Sequence, residues 1–330
     1  MIDRRAFVGA LAGGLVAAWH DASAQPQEKV WRIGYLGGSE QAAPLMQFFR
    51  DGMLDRGYVE GRDYILEIRH ARGDPDRAAA LAAELVGLKL DIFMAGTQES
   101  IRAARNATTT IPIVMSLAND PIGSGFVASL AHPGGNLTGT TDAVSMDFYG
   151  KCLENLKVAV PTASRVSVLA NVTLFEFNDN SPRRVAIEEA AHKLGMKLQI
   201  VGIREPRDLA SVLSGFTPRS SDAVLVVSSP MLYGQRSAII ESMAKRQLPA
   251  VYDNRTWVEA GGLLSYGANW PDLIRRSAYY VDRIIKGAKP ADLPVEQPTK
   301  FDLVINLKTA KALGVTIPQP VMLRADEVIQ

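Results

Sequence analysis

The sequence predicts an α/β protein built from two similar, doubly wound lobes. Its 330 residues suit two domains better than one. Short apolar segments with strand character alternate with amphipathic helical segments, which is typical of a parallel sheet covered by helices on both faces. The same order of segments recurs in the second half of the chain, and this recurrence predicts a second lobe of the same kind.

The first half contains five predicted strands, each a short segment rich in apolar residues. They span residues 32–36, 64–68, 91–95, 113–117 and 137–140. An amphipathic stretch follows the first strand. The strongest predicted helix covers residues 76–89, where Leu81, Leu85 and Leu88 share one face. Strands and helices therefore alternate along this half.

The second half of the chain repeats short sequence segments of the first half that mark strand starts and helix ends. Five short segments recur in the same order at offsets of 127 to 138 residues, and their first residues pair as Arg32 with Arg165, Gly57 with Gly195, Asp91 with Asp222, Ile111 with Leu248, and Gly134 with Gly261. One such match is weak because Gly and Pro commonly end helices. Five in order favour an internal repeat over two unrelated α/β halves that share generic punctuation.

The composition excludes several function classes. Apolar residues make up 47% and charged residues 22% of the chain, and the formal net charge of +1 gives no general attraction to nucleic acid or anionic membranes. The four histidines show no metal-ligand spacing. Cys152 is the single cysteine, so no intramolecular disulfide can form. We expect a monomer with no metal, no cofactor and no nucleic-acid partner.

The first 24 residues resemble an export signal. Arg4-Arg5 precedes an apolar run over residues 6–19, and Ala22-Ser23-Ala24 provides a signal peptidase site. The run is shorter than the ~20 residues of a membrane span. We expect a periplasmic protein that begins at Gln25 and carries no lipid anchor. The arginine pair resembles a twin-arginine signal, although an ordinary signal or a short membrane anchor has the same features.

The strand ends predict where a ligand binds. In doubly wound sheets, ligands lie beyond the carboxyl ends of the strands and often at helix N-termini. Two lobes that face each other by these ends form a cleft. The candidate residues of this cleft are Ser39, Thr97, Gln98, Asn119 and Asp120 in the first lobe, and Asn171, Ser228, Ser229, Asp253, Arg255 and Tyr266 in the second.

These candidates allow two interpretations. Asp120 or Asp253 could hold a ligand ammonium and Arg255 a carboxylate, while helix N–H groups remain free for a carboxylate. Tyr266, Trp257 and Tyr35 could pack against an apolar ligand. Polar residues before helices are also common N-caps, Arg255 could be only a rim charge, and the aromatic residues could be only packed.

The segment around Asp120 gives the most specific expectation. Residues 113–117 are apolar throughout, as in a strand buried on both faces, so the following Asn119-Asp120 should emerge at the cleft. Pro121 suits the first turn of a helix, which makes Asp120 its predicted N-cap. Gly123 and Gly125 would leave room for the ligand or the other lobe.

No recognised catalytic motif is present. The first strand leads into Gly37-Gly38-Ser39-Glu40, which is not a dinucleotide-binding fingerprint, and the chain has neither a P-loop nor a nucleophile elbow. No Ser, His and Asp set stands out. These features favour a binding protein over an enzyme.

Several motifs resemble the substrate-binding proteins of ABC transporters, a family that includes tryptophan- and tyrosine-binding transport proteins. The stretch from residue 110 to 139 reads TIPIV, then DPIGSG, then VASLAHPGGNLTG. Further matching segments are GYVEGR at 57–62, VEAGGL at 258–263, SYG at 265–267 and GAKPADLPVEQPTKF at 287–301. Together these segments span essentially the whole mature chain.

The resemblance implies a type I periplasmic-binding fold, with two Rossmann-like lobes joined by crossing strands at a hinge. The lobes would comprise residues 30–145 with about 270–288, and 150–268 with about 292–330. The family implies capture of a small organic solute, an amino acid or a related carboxylate or aromatic compound, and its delivery to a membrane permease and its ATPase. Residues 252–257 depart from the family pattern at the predicted cleft, so the resemblance does not assign the solute. A ligand-presenting module for a membrane sensor and an exported α/β enzyme remain alternatives.

Overall fold

The computed structural model describes residues 29–142, 147–172 and 181–330. The predicted export signal lies outside these residues. Within them, no helix is long and apolar enough to cross a membrane. No group of three or more His, Cys, Asp and Glu side chains in the same residues is arranged to hold a metal ion.

The first sheet has five parallel strands in the order β2-β1-β3-β4-β5. Its strands are β1 (Trp31–Gly37), β2 (Tyr64–His70), β3 (Ile92–Ala95), β4 (Ile113–Ala118) and β5 (Leu137–Thr141). Its helices are α1 (Met46–Leu54), α2 (Pro75–Gly87) and α3 (Gln98–Ala107). All five predicted strands are present, with ends within two residues of the predicted ones, and hydrophobic clusters cover both faces of the sheet.

The second sheet has seven strands in the order β12-β11-β10-β9-β8-β6-β7. They are β6 (Arg165–Asn171), β7 (Lys197–Ile203), β8 (Ala223–Val226), β9 (Ala250–Tyr252), β10 (Leu264–Ala268), β11 (Phe301–Asn306) and β12 (Glu327–Ile329). The helices are α4 (Phe148–Ala159), α5 (Pro182–Lys193), α6 (Leu209–Gly215), α7 (Pro230–Gly234), α8 (Arg236–Lys245), α9 (Arg255–Glu259), α10 (Trp270–Ile285), α11 (Leu307–Ala312) and α12 (Gln319–Arg324).

The internal repeat is confirmed by the strand order. The order β7-β6-β8-β9-β10 reproduces β2-β1-β3-β4-β5, and the strands are parallel in both cases. Gly57 and Gly195, paired in the sequence repeat, both have left-handed backbones, with φ of 88° and 67°. The second sheet adds β11, which is antiparallel to β10, and β12, which is parallel to β11. The repeated pattern does not include these two strands.

The two lobes exchange a helix. Helix α4 follows the last strand of the first sheet but packs in the core of the second lobe, where Leu153 belongs to one cluster with Val251. Helix α10 follows β10 of the second sheet but packs on the first, where Ile274 clusters with Val114. Where the chain returns to the second lobe, Glu296 forms a parallel bridge with Thr140 of β5. These contacts group α4 with the second sheet and α10 with the first, while the exact lobe boundaries stay a prediction.

The predicted helix after β4 is wrong. The segment from Pro121 to Phe126 forms turns, and Asp120 has a left-handed φ of 43°. Its Oδ1 accepts a hydrogen bond from the Gly123 N–H at 2.9 Å, so Asp120 caps a turn instead of a helix. Gly125 has a left-handed φ of 67°, which ends any helical turn there.

Candidate ligand-binding site

A cavity of about 290 Å³ lies between the carboxyl edges of the two sheets. This volume is close to the lower end of the ~300–1,000 Å³ range of small-molecule pockets. Eight of the eleven predicted site residues line the cavity, and they come from both lobes: Ser39, Thr97, Gln98, Asn119, Asp120, Ser228, Ser229 and Asp253. Their contact with a ligand stays a prediction.

Three of the predicted site residues do not line the cavity. Asn171 ends β6 and is not among the residues that line the cavity. Tyr266 lies within β10 and stacks on both Phe148 and Phe301, whose ring centroids are 6.1 and 5.8 Å from its own. Arg255 lies on α9, where its guanidinium pairs with three carboxylates, namely Glu259, Asp302 and Glu327. Tyr266 contacts β11, and Arg255 contacts both β11 and β12, two strands that the sequence pattern did not reveal. These contacts hold both side chains outside the cavity.

Several cavity residues also cap helices. The hydroxyl oxygens of Ser39, Thr97 and Ser229 each accept a hydrogen bond from a backbone N–H in the following helical turn, at 3.2 Å. The capping interpretation therefore holds for these three residues, while each also faces the cavity. The caps hold the hydroxyl groups in fixed positions on the cavity wall.

Asp253 forms the centre of a hydrogen-bonded cluster at the end of β9. Its Oδ2 accepts from the Ser228 backbone N–H at 2.8 Å, and its Oδ1 accepts from the Ser228 hydroxyl and from Asn254 Nδ2. The buried Trp257 donates its indole N–H to Ser228 Oγ at 2.8 Å and stacks on Tyr252. Trp257 therefore stabilises this cluster through its hydrogen bond to Ser228, and it does not line the cavity.

Burial raises the pKa of Asp253 to about 6, because a carboxylate loses solvation on the half-buried cavity wall. The hydrogen bonds from Ser228 and Asn254 act in the opposite direction. A carboxylate held in this way is oriented by its own lobe and can still interact with a positive group in the cavity.

Sequence reasoning missed much of the apolar wall. Beside the predicted Tyr35, the cavity is lined by Tyr149, Tyr233 and Trp270, together with Leu45, Leu117 and Ile274. Trp270 is the second residue after the carboxyl end of β10, so the rule that ligands bind at strand ends could have identified it. Tyr149 lies inside α4 and Tyr233 inside α7, positions that a strand-end rule does not reach.

Glu99, Ser124 and Asp142 also line the cavity and were not predicted. Glu99 lies in the first turn of α3, and burial raises the pKa of its carboxyl group. Ser124 accepts a hydrogen bond from Gln98 Nε2 and so ties the turn after β4 to α3. Acidic residues in the first turn of a helix usually stabilise its dipole, so the sequence alone gave no reason to assign Glu99 to a ligand site.

The two lobes touch at the cavity wall, where Gly38 meets Pro230. A methyl group added at Gly38 would lie 2.7 Å from Cβ of Pro230, the first residue of α7 in the opposite lobe, and 2.6 Å from Cγ2 of Thr97 in its own lobe. Both distances are shorter than carbon atoms tolerate, so the contact requires glycine. The cleft is therefore closed in this structure.

We expect Asp120→Ala to lower the free energy of unfolding by about 1 kcal/mol, because it removes the turn cap and leaves alanine in a left-handed conformation. Asp120→Asn should retain the stability, since Asn caps and tolerates this conformation. The Asp120 side chain is exposed at the rim of the cavity, and its Oδ1 already accepts the hydrogen bond from Gly123 N–H. The affinity for the ligand should therefore change little in Asp120→Asn. Thermal unfolding and titration calorimetry of both variants check this, and a tenfold loss of affinity in Asp120→Asn would instead place its charge on the ligand.

Comparison with known proteins agrees with this geometry. The family described as ABC transporter substrate binding protein matches residues 43–329. A protein named tyrosine-binding protein, from Clostridioides difficile strain R20291, is 28% identical over 267 residues, which cover 80% of this chain and 75% of the relative.

Two solved structures are similar at 26% identity, each over 91% of this chain and 100% of its own. One is an ABC domain from Streptococcus pneumoniae in complex with L-Trp, with a TM-score of 0.80. The other is the ligand-free, open structure of a substrate-binding protein with adhesive properties from Clostridium difficile, with a TM-score of 0.64. The fold is a type I periplasmic-binding fold, and the chain belongs to the family of ABC transporter substrate-binding proteins.

Proposed function

We propose that the protein captures an aromatic amino acid between its two lobes and delivers it to a membrane permease and its ATPase. The observation that carries this proposal is the closed cavity, in which polar groups from both sheets meet a wall that includes Tyr35, Tyr149, Tyr233 and Trp270. Aromatic rings pack well against each other in such a wall, and a single amino acid is an appropriate size for the cavity.

The relatives support the ligand class. One relative is named for tyrosine, and one similar structure contains L-Trp. The higher TM-score to the L-Trp complex than to the ligand-free, open structure, at equal identity and coverage, supports a closed state that encloses the ligand. In this state Asp253 would receive the ligand ammonium, and the aromatic side chains would enclose its ring.

The predicted export signal over residues 1–24 supports a periplasmic location for this function. Two other functions use the same fold. A ligand-presenting module would pass its closed form to a membrane sensor instead of a permease, and an exported enzyme would convert its ligand. Recovery of the ligand unchanged after prolonged incubation with the protein separates binding from conversion.

We expect L-Trp or L-Tyr to stabilise ligand-stripped protein strongly. At a concentration 100 times Kd, binding adds about 2.7 kcal/mol to the free energy of unfolding, which corresponds to a rise in Tm of about 5–10 °C for a chain of this size. A thermal-shift series with all proteinogenic amino acids measures this, with glucose as the control. The proposal fails if neither aromatic amino acid raises Tm more than glucose does.

A further inference from the structure

Two tyrosine hydroxyl groups face the cavity from opposite lobes. Tyr35 lies on β1 of the first sheet and Tyr233 lies on α7 of the second lobe, and both line the cavity. Each residue is only 4% exposed. Within the described part of the chain neither hydroxyl makes a hydrogen bond, yet neither oxygen is sealed off from the cavity. Such a hydroxyl group is costly to bury unless another molecule supplies its partner.

The phenol groups of these two tyrosines lie near each other. Burial and, to a smaller extent, the interaction with Tyr233 raise the pKa of Tyr35 to about 12. The Tyr35 hydroxyl lies over the carboxyl end of β3, where a methyl group added at Gly96 would be only 2.4 Å from its oxygen. At neutral pH this hydroxyl keeps its proton and can donate it to a group in the cavity.

Tyr233 also lies beside the hydrogen-bonded cluster around Asp253. Its ring packs edge-on against Trp257, with the centroids 6.0 Å apart. The Trp257 indole N–H donates to Ser228 Oγ, and the Ser228 hydroxyl donates to Asp253. In an amino acid the ammonium and the carboxylate are bonded to the same carbon atom. An ammonium held by Asp253 therefore brings the carboxylate of the same ligand towards Tyr233.

The cavity wall contains other hydrogen-bond donors. The hydroxyl protons of Ser39, Thr97 and Ser228 are donated to neighbouring side chains of the same lobe. The hydroxyl groups of Ser124 and Ser229 and the backbone N–H groups in the first turns of α3 and α7 are further donors. A carboxylate in the cavity can use these donors in addition to the two tyrosine hydroxyls.

A carboxylate matches the tyrosine pair better than the other polar groups of an aromatic amino acid. Its two oxygens both accept hydrogen bonds, so one oxygen can bind each hydroxyl. An ammonium or an indole N–H only donates and would leave both hydroxyl protons unused. The hydroxyl protons also lie at the edge of the phenol ring, where the quadrupole is positive and an anion is favoured.

We propose that the hydroxyl groups of Tyr35 and Tyr233 hold the ligand carboxylate between the lobes, each donating to one of its oxygens. This inference rests on the proposed function and identifies residues that recognise one group of the proposed ligand. Because the two donors belong to different lobes, a carboxylate bound to both stabilises the closed form. The site then selects amino acids over the corresponding amines, which lack the carboxylate.

Titration calorimetry with L-tryptophan and tryptamine, which differ only in the carboxylate, tests the proposal on Tyr35→Phe and Tyr233→Phe. The unmodified protein should bind tryptamine at least tenfold more weakly than L-tryptophan. Each variant should bind L-tryptophan about tenfold more weakly, as expected for a lost hydrogen bond to a charged group, and tryptamine with less than about a twofold change. Displacement of L-tryptophan measures the weaker amine. An equal loss for both compounds, which would place the hydroxyls on the ammonium or the ring, overturns the inference, as does no loss for L-tryptophan.

Tyr279→Phe is the matched control for these variants. Tyr279 lies on α10, packs against the Arg276 guanidinium at 3.8 Å and is not among the described residues that line the cavity. We expect this variant to leave the Kd of both compounds unchanged. The Tm of the ligand-free protein should be the same in all three variants, because none of the substitutions removes a described hydrogen bond. A lower Tm together with weaker binding of both compounds would assign the effect to the fold and contradict the inference.

Failure of the inference differs from failure of the proposed function. If the unmodified protein binds L-tryptophan or L-tyrosine and the two Phe variants bind it equally well, only the inference fails. If the unmodified protein binds neither amino acid, the proposed function fails and the inference with it. L-Tyrosine and tyramine give the same comparison where tyrosine is the tighter ligand.

Discussion

Asp253→Asn should lower the affinity for the aromatic amino acid at least tenfold and leave the fold intact. The asparagine oxygen can still accept the hydrogen bond that Ser228 N–H donates to Asp253 at 2.8 Å, and Ser228 Oγ can accept from the new amide, whereas the hydrogen bond from Asn254 Nδ2 is lost because an amide nitrogen does not accept. The variant therefore keeps the hydrogen bonds with Ser228 but loses the charge that we propose pairs with the ligand ammonium, and a charged hydrogen bond is worth about 1.5–3 kcal/mol. Titration calorimetry and thermal unfolding measure the two effects.

The pH dependence gives an independent check. Because the pKa of Asp253 is raised to about 6 in the ligand-free protein, the affinity for an ammonium ligand should rise as the pH increases from about 5 to 7. The contribution of Asp253 to the free energy of unfolding changes with pH in the opposite direction. The native state binds this proton more tightly than the unfolded chain, whose value is 3.8, so this contribution falls as the pH rises from 3.8 through 6.

The Asn variant should lose this pH dependence of the affinity, since it has no titrating group at this position. Calorimetry at pH 5, 6 and 7 on both proteins makes the comparison. If the two proteins show the same slope of affinity with pH, Asp253 does not hold the ammonium. Asp120→Asn, which alters a carboxylate at the cavity rim, is the control for a general loss of charge.

Gly38→Ala in a Thr97→Ser background should prevent closure of the lobes. The methyl group at position 38 would meet two side chains, Thr97 Cγ2 in the same lobe and Pro230 Cβ across the cleft. Thr97→Ser removes Cγ2 but keeps the hydroxyl that caps α3, so the remaining clash is only between the lobes. We expect the double variant to bind ligand at least tenfold more weakly than the Thr97→Ser reference.

This closure variant also has a readout that does not depend on affinity. In the reference protein, small-angle scattering should give a smaller radius of gyration at saturating ligand than without ligand. In the double variant, the radius should stay at the ligand-free value, while Tm without ligand matches the reference because the open form accommodates the methyl group. Equal compaction in both proteins would contradict the assignment of this contact to closure.

The sequence by itself determined the two-lobed fold and the general position of the site. Strand periodicity and the glycines at helix ends are local signals, so they predicted the five strands of the first sheet and the repeat in the second. The carboxyl-edge rule then selected positions such as Ser39, Thr97 and Asp253, because the edge at which a parallel strand ends depends only on its direction.

Only the tertiary structure decided which side chains enter the cavity. Tyr266 is packed against Phe148 and Phe301, and Arg255 is paired with Glu327, through contacts between residues that are distant in sequence. Tyr149 reaches the cavity because α4 crosses to the second lobe. The orientation of a side chain at a strand end is set by the segments that pack against it, and a local sequence pattern contains no information about those partners.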